Sequence, residues 1–192
     1  MTPFSKTVKW LWIAAPLVLG SLVVSGCDDA FDFDWILQVD TAVVYSLSRP
    51  EYLDRASAYD FGPGGGPRVV EVPAATPVRW DLAFAEEDGD FVALPAGLFQ
   101  GFDIDPGVQE ITGGVSFDAL DLAPRDGYVT SESFPLREGG LYVVKSRRDF
   151  RRCNHYAKFE VLRLNPIGII EFQSVENPLC NDRELIPEDQ QD

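Results

Sequence analysis

Two short runs, Tyr156–Leu164 and Ile169–Val175, constrain the fold of this chain more than any other feature. Both alternate apolar and polar residues, and Asn165-Pro166-Ile167-Gly168 lies between them. Asn, Pro and Gly are the residues that close turns, so the pair reads as a β-hairpin. Centred between Pro166 and Ile167, the hairpin sets Val161 opposite Phe172 and Phe159 opposite Ser174. Phe159, Val161, Ile170 and Phe172 then share one face, and Lys158, Glu160, Glu171 and Gln173 share the other. One apolar and one polar face is the pattern of a half-buried antiparallel pair. The same register, carried outward, brings Cys153 opposite Cys180 at the open end, on the apolar side. Directly opposed residues can meet disulfide geometry. A Cys153–Cys180 disulfide is therefore expected; the alternative is two reduced, buried thiols.

The third cysteine has a different setting. Lys6 and Lys9 precede an apolar stretch, Trp10 to Val24, which is followed by Val24-Ser25-Gly26-Cys27. This is the three-part build of a signal peptide, with an apolar region short for a bilayer span. Small residues before a cysteine resemble the bacterial lipobox. Cys27 would then be diacylated at sulfur, with cleavage after Gly26 and palmitate as a typical acyl chain. The alternatives are an ordinary secretory signal with an incidental Cys and an uncleaved membrane anchor. An exported chain meets an oxidising compartment, which agrees with the expected disulfide. The organisation expected is a lipoprotein signal over 1–26, a lipidated Cys and acidic tether over 27–40, a β domain over 41–180, and an acidic, fraying tail over 181–192.

The remainder also reads as β-structure. Strands are expected at Val43–Ser48, Arg68–Val72, Val78–Ala85, Phe91–Leu94 and Leu141–Arg147. Trp80, Leu82 and Phe84 should share a face, and Glu87-Asp88-Gly89-Asp90 should close a hairpin. Phe117–Leu122 is the one candidate short helix, entered at Ser116. No long stretch shows helical periodicity, and turn signals recur often. The fold class expected is all-β: a single antiparallel sandwich or twisted meander with at most one short helix.

Charge excludes some functions. Lys and Arg total 16 against 31 Asp and Glu, a net charge of -15. Without Lys6 and Lys9 the balance is 14 against 31, or -17. Sequence-independent nucleic-acid binding needs a basic surface and is not expected. A single His and a single Met exclude most multi-histidine metal sites. Phe61–Pro67 lacks the Gly-Lys-Ser/Thr ending of a phosphate loop. Asp103-Ile104-Asp105-Pro106-Gly107 falls short of a calcium loop and reads as a solvated turn. There is no Gly-x-Ser-x-Gly, and no spacing points to paired-carboxylate catalysis. The chain is not expected to be an enzyme.

One segment stands out against the acidic background: Lys145-Ser146-Arg147-Arg148-Asp149-Phe150-Arg151-Arg152 holds five of the 14 basic residues outside the leader. Lys145, Arg147, Arg148, Arg151 and Arg152, with His155 just beyond, suit a carboxylate, a phosphate or an anionic lipid head. The alternative is a solvated loop whose arginines pair with nearby acids.

Several segments, in order, resemble the HmuY-like family of lipid-anchored haem-binding proteins. They are Tyr45-Ser46-Leu47-Ser48, Arg79-Trp80-Asp81-Leu82-Ala83-Phe84, Phe117–Leu120 running to Ala123–Val129, Leu141-Tyr142-Val143-Val144-Lys145-Ser146 and Tyr156–Leu162. The resemblance spans about residues 41–175. It implies an all-β fold, anchoring at the cell envelope, most simply the outer membrane, and capture of haem or a related tetrapyrrole. The family's paired His or Met ligands carry over onto no position here. The stretch aligned with them, Thr130–Glu138, holds neither residue type. His155 would be a lone haem ligand, with Tyr128, Tyr142 and Tyr156 as other candidates. The leading expectation is a non-catalytic envelope lipoprotein, monomeric, that binds a ligand such as haem. The alternative is a structural or adaptor lipoprotein that binds a protein partner. An apolar pocket sized for a macrocycle, near His155 or a tyrosine, would separate the two.

Overall fold

The computed structural model describes residues 35–70, 78–99, 106–148 and 152–191. Ten strands form two antiparallel sheets. They are β1 (Asp40–Tyr45), β2 (Ala56–Asp60), β3 (Gly66–Val69), β4 (Leu82–Glu87), β5 (Asp90–Pro95), β6 (Gly107–Glu110), β7 (Phe134–Pro135), β8 (Leu141–Lys145), β9 (Tyr156–Asn165) and β10 (Ile169–Glu176). One sheet runs β1-β10-β9-β8-β6 and the other β3-β2-β4-β5-β7. The domain is all-β, as expected. Helix is confined, among the described residues, to three short 3-10 turns at Pro50–Tyr52, Ala96–Leu98 and Glu188–Gln190.

Alternation along the strands explains the core. Val44, Leu82, Phe84, Ala93, Tyr142, Val144, Phe159, Val161, Ile170 and Phe172 meet between the sheets. Phe172 sits at its centre, with ring centroids of Tyr59, Phe84 and Phe159 at 5.1, 5.7 and 5.4 Å. Such aromatic pairs contribute about 0.5–1.5 kcal/mol each beyond the area they bury.

The β9–β10 hairpin has the expected register beside the core: Phe172 pairs with Val161 and Ser174 with Phe159. Closer to the turn it shifts by one, so that Glu171 pairs with Arg163. The turn itself is the cause. Gly168 takes a left-handed conformation (φ 84°), which gives a three-residue loop of Pro166, Ile167 and Gly168. A bulge at Leu162 on β9 takes up the extra residue and restores the inward register. The β4–β5 hairpin closes as expected through Asp88 and Gly89, whose φ values of 52° and 95° are those of a type I′ turn.

Several expectations are corrected. Trp80 does not share a face with Leu82 and Phe84. It packs on the outside of the second sheet with Ala58, Val78, Ala83 and Ala96. The strand begins only at Leu82, and the chain bends at Asp81, which breaks the alternation. The expected helix at Phe117–Leu122 is a single turn, although Ser116 caps it as expected by accepting the Ala119 N–H. The face of β9 that carries Lys158 is not solvated. Phe117, Leu120, Ala123, Leu185 and Trp35 cover it, together with Leu141, Val143 and Val175. Lys158 is 1% exposed and donates to the carbonyls of Phe117 and Leu120 at 2.7 and 2.9 Å. Burial lowers its pKa to about 8. The C-terminal segment does not fray at its start. Leu185 is buried, its N–H donates to Asp121 O, and Ala123 N–H donates to Arg183 O. The acidic tether ends at Trp35, which is buried on the same sheet face. The Asp103–Gly107 turn lies partly outside the described residues; Gly107 itself opens β6. A side chain there would strike Tyr128 and Thr130, so glycine lets the Val129 strap pair with Val108 along that edge.

Replacing Phe172 by Ala removes a ring of the first sheet that packs against Tyr59 and Phe84 of the second. The expected cost is about 3–5 kcal/mol, read as a fall in the urea midpoint with an unchanged slope.

Candidate ligand-binding site

The antiparallel order brings the ends of β2, β8 and β10 and the starts of β1 and β4 to one end of the sandwich. Two residues past β8, Arg147 reaches from the first sheet to the second. Its Nη1 lies 2.8 Å from Asp60 Oδ1 and 3.1 Å from Asp81 Oδ1, and its Nη2 donates to Asp60 Oδ2 at 3.0 Å. The Arg147 N–H also donates to Asp81 Oδ1 at 2.7 Å, and the Phe61 N–H donates to Asp81 Oδ2 at 2.7 Å. Arg68 adds a longer contact to Asp60, 3.5 Å. Asp81 is wholly buried. Burial pushes its carboxyl up to about 6, against the pull of Arg147 and the two backbone donors. For Arg147, burial alone would lower the pKa; the hydrogen bonds and charge of Asp60 and Asp81 outweigh it and raise it.

The neighbouring backbone is held by side chains. Ser146 N–H donates to His155 O, and His155 N–H donates to Ser146 Oγ, both at 2.8 Å. Asn154 Nδ2 donates to Ser146 O, and Asn154 N–H to Asn181 Oδ1. Cys153 and Cys180 are disulfide-bonded with Cα atoms 5.1 Å apart, as the hairpin register required.

A cavity of about 320 Å3 opens beside this network. Ile36, Gln38, Asp40, Tyr59, Pro63, Gly64, Gly65, Glu176 and Pro178 line it. Burial pushes Glu176 up to about 7, opposed by Tyr59 and reinforced by the charges of Asp60, Asp40 and Asp81. Burial likewise pushes Tyr59 up to about 12.

The residues singled out in the sequence separate here. Arg147 is committed to Asp60 and Asp81. Lys145 lies over the Tyr128 ring, 5.8 Å from its centroid, outside the cavity lining. Arg148 and Arg152 are exposed, and Arg152 takes a positive φ of 62°. Arg151 and Cys27 lie outside the described residues. His155 is buried, 5% exposed. Tyr142 stands in the core, where its hydroxyl accepts the Arg137 N–H. Tyr128 donates to Pro124 O and its ring lies 6.3 Å from that of Tyr156. Among the described residues no group of three or more His, Cys, Asp or Glu is placed to hold a metal ion. Sequence reasoning missed Asp40, Tyr59, Asp60, Asp81 and Glu176. A signal for two of them existed: Tyr59-Asp60-Phe61 and Trp80-Asp81-Leu82 each set an acid between large apolar residues. The chain matches no family model, no curated protein and no solved structure.

Two outcomes are expected. Arg147→Met leaves Asp81 buried without its counter-charge and should cost about 3–5 kcal/mol; adding Asp81→Asn and Asp60→Asn should restore part of that loss in thermal unfolding. Glu176 binds its proton more tightly folded than unfolded, because its pKa rises from 4.5 to about 7. Its contribution to stability is thus full below 4.5 and falls as pH rises to about 7. The stability difference between the wild type and Glu176→Gln, followed by urea unfolding across that window, should carry this slope.

Proposed function

We propose that the chain is an exported, lipid-anchored, non-catalytic binding protein of the cell envelope, built on an HmuY-like β domain. The observation that supports this most is the Cys153–Cys180 disulfide, which is at home in an oxidising compartment. It agrees with the leader over 1–26 and with Cys27 as the acylated residue. The ligand suggested by the family resemblance is haem or a related tetrapyrrole. Exposed Arg152 and Lys145 would face its propionates, and a tyrosine rather than His155 would face its iron, since His155 is buried.

A second reading, an adaptor that binds a protein partner, draws on a separate observation. Ile36, Val39 and Val43 are exposed along and just before β1, an edge strand. An apolar fringe beside an unpaired strand edge suits strand addition.

Both readings are tested on one preparation. Cells fed a palmitate analogue should label the wild-type chain and not Cys27→Ser. Titrated with haemin, the purified chain should give a saturable Soret shift that survives His155→Ala. A shift lost in that variant would make His155 an axial ligand. No saturable shift would remove haem and leave the adaptor.

A further inference from the structure

The two ends of the sandwich differ in charge. The β4–β5 turn and the segment after β1 lie at one end, where Glu51, Glu87, Asp88 and Asp90 are exposed. The cations of that end are taken up, Arg49 by Glu86 and Arg163 by Glu171. The other end, that of Trp35 and Arg147, is the reverse. Its acids Asp60 and Asp81 are taken up by Arg147, and Asp40 and Glu176 belong to the cavity lining. Arg79, just before β4, and Arg152, beside the disulfide, are exposed there, and among the described residues neither has an ion-pair partner. Apolar groups are exposed at this end too. Leu82 pairs with Pro95, so the 3-10 turn that follows β5, Ala96–Leu98, lies beside the start of β4. The Phe99 N–H closes that turn on Ala96 O, and Leu98 and Phe99 are 42% and 41% exposed. The Phe99 ring is fixed, edge-on to buried Trp80 with centroids 5.3 Å apart. Ile36, next to Trp35, is 85% exposed.

Unpaired guanidinium groups among exposed aliphatic and aromatic side chains suit a phospholipid surface. The guanidinium fork matches a phosphate, and Leu and Phe enter the boundary between headgroups and acyl chains. The chain that links Cys27 to the domain enters at Trp35, on this same end. We propose that the Trp35 end docks on a zwitterionic phospholipid bilayer, with Leu98, Phe99 and Ile36 in the interface and Arg79 and Arg152 on lipid phosphates. The proposal rests on the anchor reading above, which brings a bilayer within reach, and on neither the haem nor the adaptor reading. A strongly anionic bilayer fits less well: it would repel Asp28, Asp29, Asp32 and Asp34 of the linking segment. In a zwitterionic headgroup the phosphate is available without that cost, and the acidic end of the sandwich is kept in solvent.

The probe is a phosphatidylcholine disc with a spin label on a fraction of its headgroups. Isotope-labelled chain, purified from membranes with its anchor, is placed in such discs and in unlabelled ones, and amide peak intensities are compared. Gly97, Leu98, Phe99, Arg79 and Arg152 should lose most of their intensity together with Ile36, while Gly89 and Ile167 at the far end keep theirs. Leu98→Ser/Phe99→Ser changes two side chains that are already exposed, so amide shifts elsewhere should stay unchanged. It should restore the Gly97 and Arg79 peaks and leave Ile36 attenuated, because the link to the bilayer remains. Arg79→Gln/Arg152→Gln, with the apolar groups intact, should move Gly97 the same way. Attenuation confined to Ile36, equal attenuation at Gly89, or a pattern unchanged in both variants would each overturn the proposal. The anchor reading fails separately: a Cys27 without acyl label, in a chain held by its apolar stretch over 10–24 and still showing the pattern, removes the lipid and keeps the docking surface.

Discussion

The two sheets meet through an apolar core, but Arg147 decides how they meet at one end. A guanidinium taken out of water is costly unless its donors and charge are met. Here Asp60 from the end of β2 and Asp81 from the start of β4 meet both, while Asp81 also closes the backbone of Phe61 and Arg147. The interaction is directional where the core is not. An apolar interface tolerates sliding, whereas a forked donor against two fixed carboxylates allows a single offset of one sheet on the other. The opposite end is tied in the same way at the surface, where Arg49 bridges Glu86 and the carbonyl of Pro166.

Such a clamp explains why polar groups gather at this end. Once Asp81 is buried, the neighbouring acids feel both low dielectric and one another. Glu176 is raised for these reasons, and Asp60 and Asp40 contribute to it. Lys158 is the mirror case on the outer face of the first sheet: a lone ammonium roofed by a turn, met by two carbonyls and lowered by burial. In each instance the cost of burial is offset by hydrogen bonds that also fix a loop.

How much of this could be read from the chain alone follows from what kind of information each feature needs. The β9–β10 and β4–β5 hairpins were legible because turn chemistry and alternation are local, and the disulfide followed from register. The one-residue shift near Gly168 was not, since a bulge at Leu162 depends on how the core pulls Val161 inward. Strand β2 was missed because Ala56-Ser57-Ala58 has little β-propensity; its place is set by Trp80 packing over Ala58. The long cover of Phe117 to Ala123 and Leu185 is a tertiary decision, and it turned an apparently solvated lysine face into a second core. The basic turn was visible as charge, but its principal member, Arg147, was visible only as a cation; the acids that engage it lie far away in sequence. The cavity has no linear signature at all, since Gln38, Tyr59 and Glu176 come from three separate strands or their flanks.

Trp35 has a further consequence. It is fixed on the first sheet, and the neighbouring Ile36 borders the cavity. With Cys27 as the acylated residue, eight residue steps separate lipid from this fixed point, at most about 28 Å of extended chain. On the proposed anchor, a leash that short would let the domain swivel but not turn over. The Trp35 end, with its carboxylates and the disulfide, would be held toward the bilayer, and the β4–β5 and β9–β10 turns would be presented outward. Whatever reaches the cavity would then arrive sideways, along the membrane surface.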